Sequence, residues 1–262
     1  MATQSAPVAY RLLEVRYVGV SLSVVGLAVG VILIAATQWV MPLVPAAAIQ
    51  LLERAFLLRG MGAVTLMNDY LAVYTVLFFA GLGQLNRAVI TPREQRQLEL
   101  LLSKPIRRTD FLAARCQPVL LATALLGVAL GVACALAAAP YAGQDVTPLG
   151  AFGATLVILA LVLMELALLN VVFLLLRDGF QALLVAFVVW VLPLIGTSVF
   201  IYRPDVFEGH PLATQLLVMP ANLVWLDADV LLVGGALLLV AGLVCALLAR
   251  VAGAVFEHVE LR

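Results

Sequence analysis

Three sets of side chains in this sequence have the types and spacing to do chemistry or to hold a partner. The first is a lone acid, Glu165, inside the apolar run Leu163-Met-Glu-Leu-Ala-Leu-Leu-Asn170. A carboxylate at the centre of a hydrocarbon layer costs about 2.5–3.5 kcal/mol on insertion scales, so it must face protein or water. It is either a substrate or proton site, or a protonated or hydrogen-bonded structural residue, and the second is the expectation. Asn170 shares the helix but not the face, so the partner of Glu165 lies on another element. The second set is Phe187, Trp190, Thr197 and Ser198, grouped around Pro193. Pro193 leaves a backbone carbonyl free and can kink the helix, and a kinked, aromatic, partly polar helix suits a path for amphipathic cargo. Ordinary packing accounts for the same residues equally well.

The third set lies between Arg93 and Arg115. Leu98, Leu101 and Leu102 recur at helical spacing while Arg93, Arg96, Gln97 and Lys104 stay polar, and Glu94 and Glu99 add acid. This predicts a short amphipathic helix with Thr91 as N-cap, Pro92 in its first turn and Pro105 ending it. Arg107, Arg108 and Asp110 then lead into the next apolar run. A leucine face with charged flanks can dock into a groove on a partner, the charges setting register and pairing at the rim. A basic loop that merely fixes topology at the headgroups explains the same residues.

Other chemistry is thinly represented. Cys116, Cys134 and Cys245 have neither metal-ligand nor disulfide-framework spacing and read as small buried hydrophobes. His210 and His258 have no ligand cluster around them. No Gly-x-x-x-x-Gly-Lys-Ser/Thr phosphate loop occurs, so any ATP hydrolysis belongs to another chain. The net charge is zero, which gives no reason to expect a nucleic-acid partner.

The elements that must carry these residues are membrane spans. Hydrophobic residues make up 65% and charged residues 11%, against about 45–50% and about 25% in soluble chains, and the mean hydropathy is +1.14. Lipid must solvate much of that surface. Six runs reach the ~20 residues a helix needs to cross a core about 30 Å thick: 18–37, 69–90, 112–139, 149–176, 181–202 and 229–250. The predicted fold is therefore an all-α, six-span integral membrane protein in a single transmembrane domain, 1–262. Alternate loops put twelve basic residues on one side and three on the other. The positive-inside rule makes the first side cytoplasmic, with both termini on it. The N-terminus lacks a basic start and a clean cleavage site, so the first span is expected to be retained.

Two outer segments are more than loops. Within 38–68, the stretch Ile49-Gln-Leu-Leu-Glu-Arg-Ala-Phe-Leu-Leu is amphipathic and suits the interface. Segment 203–228 holds fourteen mostly apolar residues broken by Pro220, a short re-entrant or interfacial hairpin. Gly26-x-x-x-Gly30 and Gly127-x-x-x-Gly131 permit close helix contact.

The loop at 91–111 resembles the cytoplasmic loop between spans two and three of type 2 ABC (ATP-binding-cassette) transporter permeases. Those proteins often show Arg-Glu-x-Gly-Thr-Leu-Glu-x-Leu-Leu-x-Thr-Pro-x-x-Arg, then an acidic residue, apolar residues and Lys. Arg93, Glu94, Leu98, Glu99, Leu101, Leu102, Pro105, Arg108 and Asp110 match as they stand. Arg96 stands for Gly, Gln97 and Lys104 for Thr, and Arg115 for Lys. The resemblance implies a coupling helix that docks into a nucleotide-binding ATPase subunit, through Arg93, Glu94, Leu98, Glu99, Leu101, Leu102, Lys104, Pro105 and Arg108. It further implies an exporter in the cell (inner or cytoplasmic) membrane, built as a dimer with a second permease chain. ATP and Mg would sit on the partner ATPase, and this chain would bind no cofactor. Residues 1–17 resemble the family's amphipathic interface helix, and the resemblance sets the fifth span near the dimer interface. Two other classes compete: an ion- or proton-coupled carrier using Glu165, and a membrane scaffold that uses the loop only to bind a partner.

Overall fold

The computed structural model describes residues 20–56, 60–95, 108–142, 146–176, 178–209 and 229–258. These are helical almost throughout, with no strand among them. Helix α1 runs Val20–Val40, α2 Ala46–Phe56, α3 Met61–Leu85, α4 Thr91–Glu94, α5 Arg108–Ala138, α6 Pro148–Leu175, α7 Gly179–Tyr202 and α8 Asp229–His258. Six helices are long and apolar enough to cross a membrane, as expected of a multi-pass membrane protein. They follow the order of the six predicted runs.

Local chemistry sets several of the helix ends. Thr147 accepts from the Gly150 N–H at 3.0 Å with Pro148 at the first helical position, which starts α6. Asp178 does the same for α7, accepting from the Gln181 N–H at 2.8 Å. The turn between α2 and α3 needs φ +86° at Gly60, which glycine adopts without strain, and the Gly60 N–H donates to Glu53 Oε1 at 3.0 Å. Past α7, the exposed Arg203 guanidinium donates to both Asp205 oxygens, at 2.9 and 2.8 Å, and holds that carboxyl below the usual range.

Helix α2 covers most of the predicted interfacial stretch. Several boundaries differ from expectation; α8 runs to His258, eight residues past the predicted 250, and the second span differs at both ends. The second span begins at Met61, eight residues before the predicted Asp69, because the apolar face resumes directly after the Gly60 turn. At its other end, Thr91 is not an N-cap. Its backbone is helical (φ −54°, ψ −45°), and the helix continues through a π turn at Asn86–Ile90 into α4. Pro92 follows that turn, where the i→i−4 ladder is already out of register, so its missing N–H does not end the helix. The resulting 34-residue helix, Met61–Glu94, is about 51 Å long at 1.5 Å per residue and projects beyond a 30 Å core.

Helices α3, α5 and α6 form the centre; α1 packs on α3 and α5, and α8 packs on α6 and α5. The closest helix approach joins α6 to α8. A Cβ at Gly153 would lie 2.7 Å from Leu231 N, and one at Gly234 would lie 2.6 Å from Gly153 O. Both small-residue motifs also serve contacts within the chain. Gly26 and Gly30 admit Leu126 and Leu130 of α5, and Gly127 and Gly131 admit Leu159 and Phe152 of α6. In contrast, α7 lies at the edge: 11% of its span is buried, against 67% for α6.

Candidate functional site

Polar side chains gather in two layers of the bundle. The first is at the end that carries most basic residues. Arg93, in α4, donates Nη1 to Leu174 O at 3.1 Å and to Leu176 O at 2.5 Å, the orphan carbonyls where α6 stops. Its neighbour Glu94 accepts from the Gly179 N–H at 2.7 Å, where α7 starts. A cation on a C-terminus and an anion on an N-terminus each complement the local helix dipole. Arg93 and Glu94 thus clamp the end of the second span onto the turn between the fourth and fifth. Close by, the buried Arg115 of α5 donates Nη1 to Ala88 O in the π turn at 3.1 Å and lies 5.0 Å from the Phe111 ring centroid. Phe111 in turn stacks on Phe256 of α8, with ring centroids 6.5 Å apart.

Leu98, Glu99, Leu101, Leu102, Lys104 and Pro105 lie outside the described residues, as do segments 1–17 and 210–228. Arg108 opens α5, and nothing is described of its side chain. The loop's two attachments to the bundle are therefore described, and its leucine face is not.

The second layer is at mid-span and centres on Glu165. Its partner is Tyr74 of α3, whose hydroxyl lies 3.1 Å from Oε1 and 3.3 Å from Oε2. The same hydroxyl donates to the Trp190 carbonyl of α7 at 2.9 Å. Glu165 is 8% exposed and Tyr74 5%. Pro193 removes the N–H that Val189 would receive, one residue before Trp190, and so loosens the α7 ladder at this level. An aromatic row reinforces the junction: Phe187 to Trp190 at 5.7 Å, Trp190 to Phe79 at 5.5 Å, and Phe79 to Phe78 at 5.5 Å between centroids. Ser198 turns back on its own helix, donating to Leu194 O at 3.0 Å, and Thr197 has no described side chain. Of the five candidate path residues, then, Glu165, Trp190 and Phe187 converge and Ser198 does not. Asn170 has a separate partner, accepting from Cys116 Sγ at 3.1 Å.

Comparison with protein-family models, with curated proteins and with solved structures finds no match to this chain.

Asp69 and Gln84 are among the buried polar groups that the sequence alone did not reveal. Asp69 stood at the predicted edge of the second span, which left Glu165 as the one deep acid. It is instead eight residues inside α3, fully buried, and accepts from Gln38 Nε2 at 3.0 Å. Gln84 donates Nε2 to Ser23 Oγ at 2.6 Å, tying α3 to α1. A signal was present: Tyr70, Tyr74, Leu77, Gly81 and Gln84 follow one another at helical spacing and share the buried face of α3.

Proposed function

We propose that this chain is the membrane-spanning subunit of an ATP-driven exporter, working as a dimer with separate nucleotide-binding ATPase subunits. The observation that carries the reading is the cytoplasmic stretch Arg93–Arg115, in which nine positions fit the coupling-loop pattern as they stand. Its leucines supply apolar contact to a groove on the ATPase, and Glu99 within the leucine run supplies a charge that the partner must pair. ATP and Mg belong to that partner. The attachments of the loop support a mechanical role. One end continues a 34-residue helix that is clamped to the α6–α7 turn by Arg93 and Glu94, and the other leads into α5. Movement of the loop is thereby transmitted to the second, third, fourth and fifth spans together. The resemblance sets a second permease chain against the fifth span, and the exposed apolar row Phe180, Leu184, Phe187 and Val188 of α7 offers it a surface.

A second reading, a proton-coupled carrier, draws on the buried Glu165–Tyr74 pair. Co-purification of an ATPase, followed by transport in liposomes, separates the two. The exporter transports only with the ATPase and ATP present, whereas the carrier runs on a pH gradient without either.

A further inference from the structure

The hydrogen bonds at mid-span can be counted. Tyr74 brings one O–H; the Trp190 carbonyl can only accept, and it lies 2.9 Å away. Both oxygens of Glu165 stand within 3.3 Å of the same hydroxyl. If Glu165 is ionised, three acceptor oxygens surround a single donor, in a layer with almost no access to water. If Glu165 carries a proton, the layer gains a second donor: the carboxylic O–H donates to Tyr74 Oη, the Tyr74 O–H donates to Trp190 O, and only the second Glu165 oxygen is left without a donor.

The acceptor on Trp190 belongs to the helix with the least packing of its own. The middle of α7 meets the bundle through this hydrogen bond, the ring row through Phe187, Trp190 and Phe79, and the apolar contacts of Ala186, Val189 and Leu194. We propose that Glu165 is a proton-binding site that works as a latch: with the proton bound, α3, α6 and α7 are locked through Tyr74, and its loss frees the middle of α7. An ionised Glu165 competes for Tyr74's single proton and draws it from the Trp190 carbonyl. That carbonyl sits beside the ladder gap made by Pro193, so the segment can then swing away. The proton enters and leaves the same site, and no net proton movement across the membrane is needed. The latch does not depend on an ATPase partner.

The titratable groups on the surrounding helices lie at this level or a turn or more away from it. Asp69 and Tyr70 lie about one turn away along α3, where Gln38 engages Asp69. From α5 come Cys134, Cys116 and Arg115, the last two bonded to Asn170 and Ala88. From α8 comes Cys245, whose Sγ lies 3.4 Å from Leu163 O. The described stretches of α1 and of α7 up to Phe200 contain no titratable residue.

The test uses the full chain in liposomes without any ATPase. Trp39→Phe and Trp225→Phe leave Trp190 as the sole tryptophan. Its emission is followed from acidic to alkaline pH, alongside the infrared carbonyl band of a protonated carboxylic acid. The latch predicts that the band disappears and the Trp190 emission shifts with a common midpoint. Glu165→Gln keeps a donor toward Tyr74, so it should lose the titration and stay at the low-pH emission. Tyr74→Phe should lose it and stay at the high-pH emission. An emission independent of pH in the otherwise native chain overturns the proposal. So does a titration that survives Glu165→Gln, or one abolished by Asp69→Asn. If Glu165→Gln does not accumulate, Tyr74→Phe and the shared midpoint decide the matter alone: separate midpoints, or an unchanged titration in Tyr74→Phe, refute it.

Discussion

Replacing Arg93 by alanine removes two charge-assisted hydrogen bonds from the end of α6, to Leu174 O and Leu176 O. Bonds from a charged donor contribute about 1.5–3 kcal/mol each. Arg93 is half-buried, so water can take over part of each carbonyl, and the net loss is about 2 kcal/mol. The loss is local, since the bundle core does not run through this side chain. At 1.4 kcal/mol per factor of ten, opening of the α6–α7 turn should become roughly 30-fold more frequent. Amide hydrogen exchange of the chain in lipid reads this directly: amides near 176–182 should lose protection while those in the middle of α8 keep theirs. Arg93→Lys places a point charge where a fork stood and should give a smaller loss. Unchanged exchange at the turn, or an equal loss across all helices, would refute the clamp.

Two further predictions concern packing and topology. Gly153→Ala or Gly234→Ala must push backbone apart between α6 and α8 and should destabilise by about 1–3 kcal/mol. Gly235→Ala, with nothing within 4 Å of its added Cβ, should be neutral or stabilising, and thermal unfolding in detergent compares the three. A single cysteine near Ser103 should be labelled only from the cytoplasmic side and one near Asp145 only from outside; labelling of both from one side would overturn the six-span orientation.

Much of the helical scaffold was legible because it is written in consecutive residues. Six apolar runs and the amphipathic stretch from Ile49 depend on local order; so do the cap residues Thr147 and Asp178, which were not picked out in advance. Boundaries were less legible where one signal had two structural meanings. Pro92 reads as a helix start, yet the π turn before it lets the helix pass through. The partners of buried polar groups were illegible for a different reason. That Glu165 meets Tyr74, Asp69 meets Gln38 and Asn170 meets Cys116 depends on how each helix is rotated against its neighbours, which chain order does not encode. Arg93 and Glu94 show the same effect. Their charges suggested pairing with an ATPase, but the structure uses both within the chain, on the ends of α6 and α7. Glu99, inside the leucine run, remains the charge at which the expected intermolecular role is sharpest.

The exporter reading is tested most directly by reversing that charge. Removing or opposing a buried charge partner at an interface costs about 2–5 kcal/mol, far more than a change at the rim. Glu99→Arg should therefore strip the ATPase from the complex during pull-down, or leave ATP hydrolysis running without transport in reconstituted liposomes. Six-span insertion should be intact, because this reading puts the loop outside the hydrocarbon. Wild-type assembly and transport with Glu99 reversed would contradict the coupling role, and transport by the chain with no ATPase present would contradict the exporter reading itself.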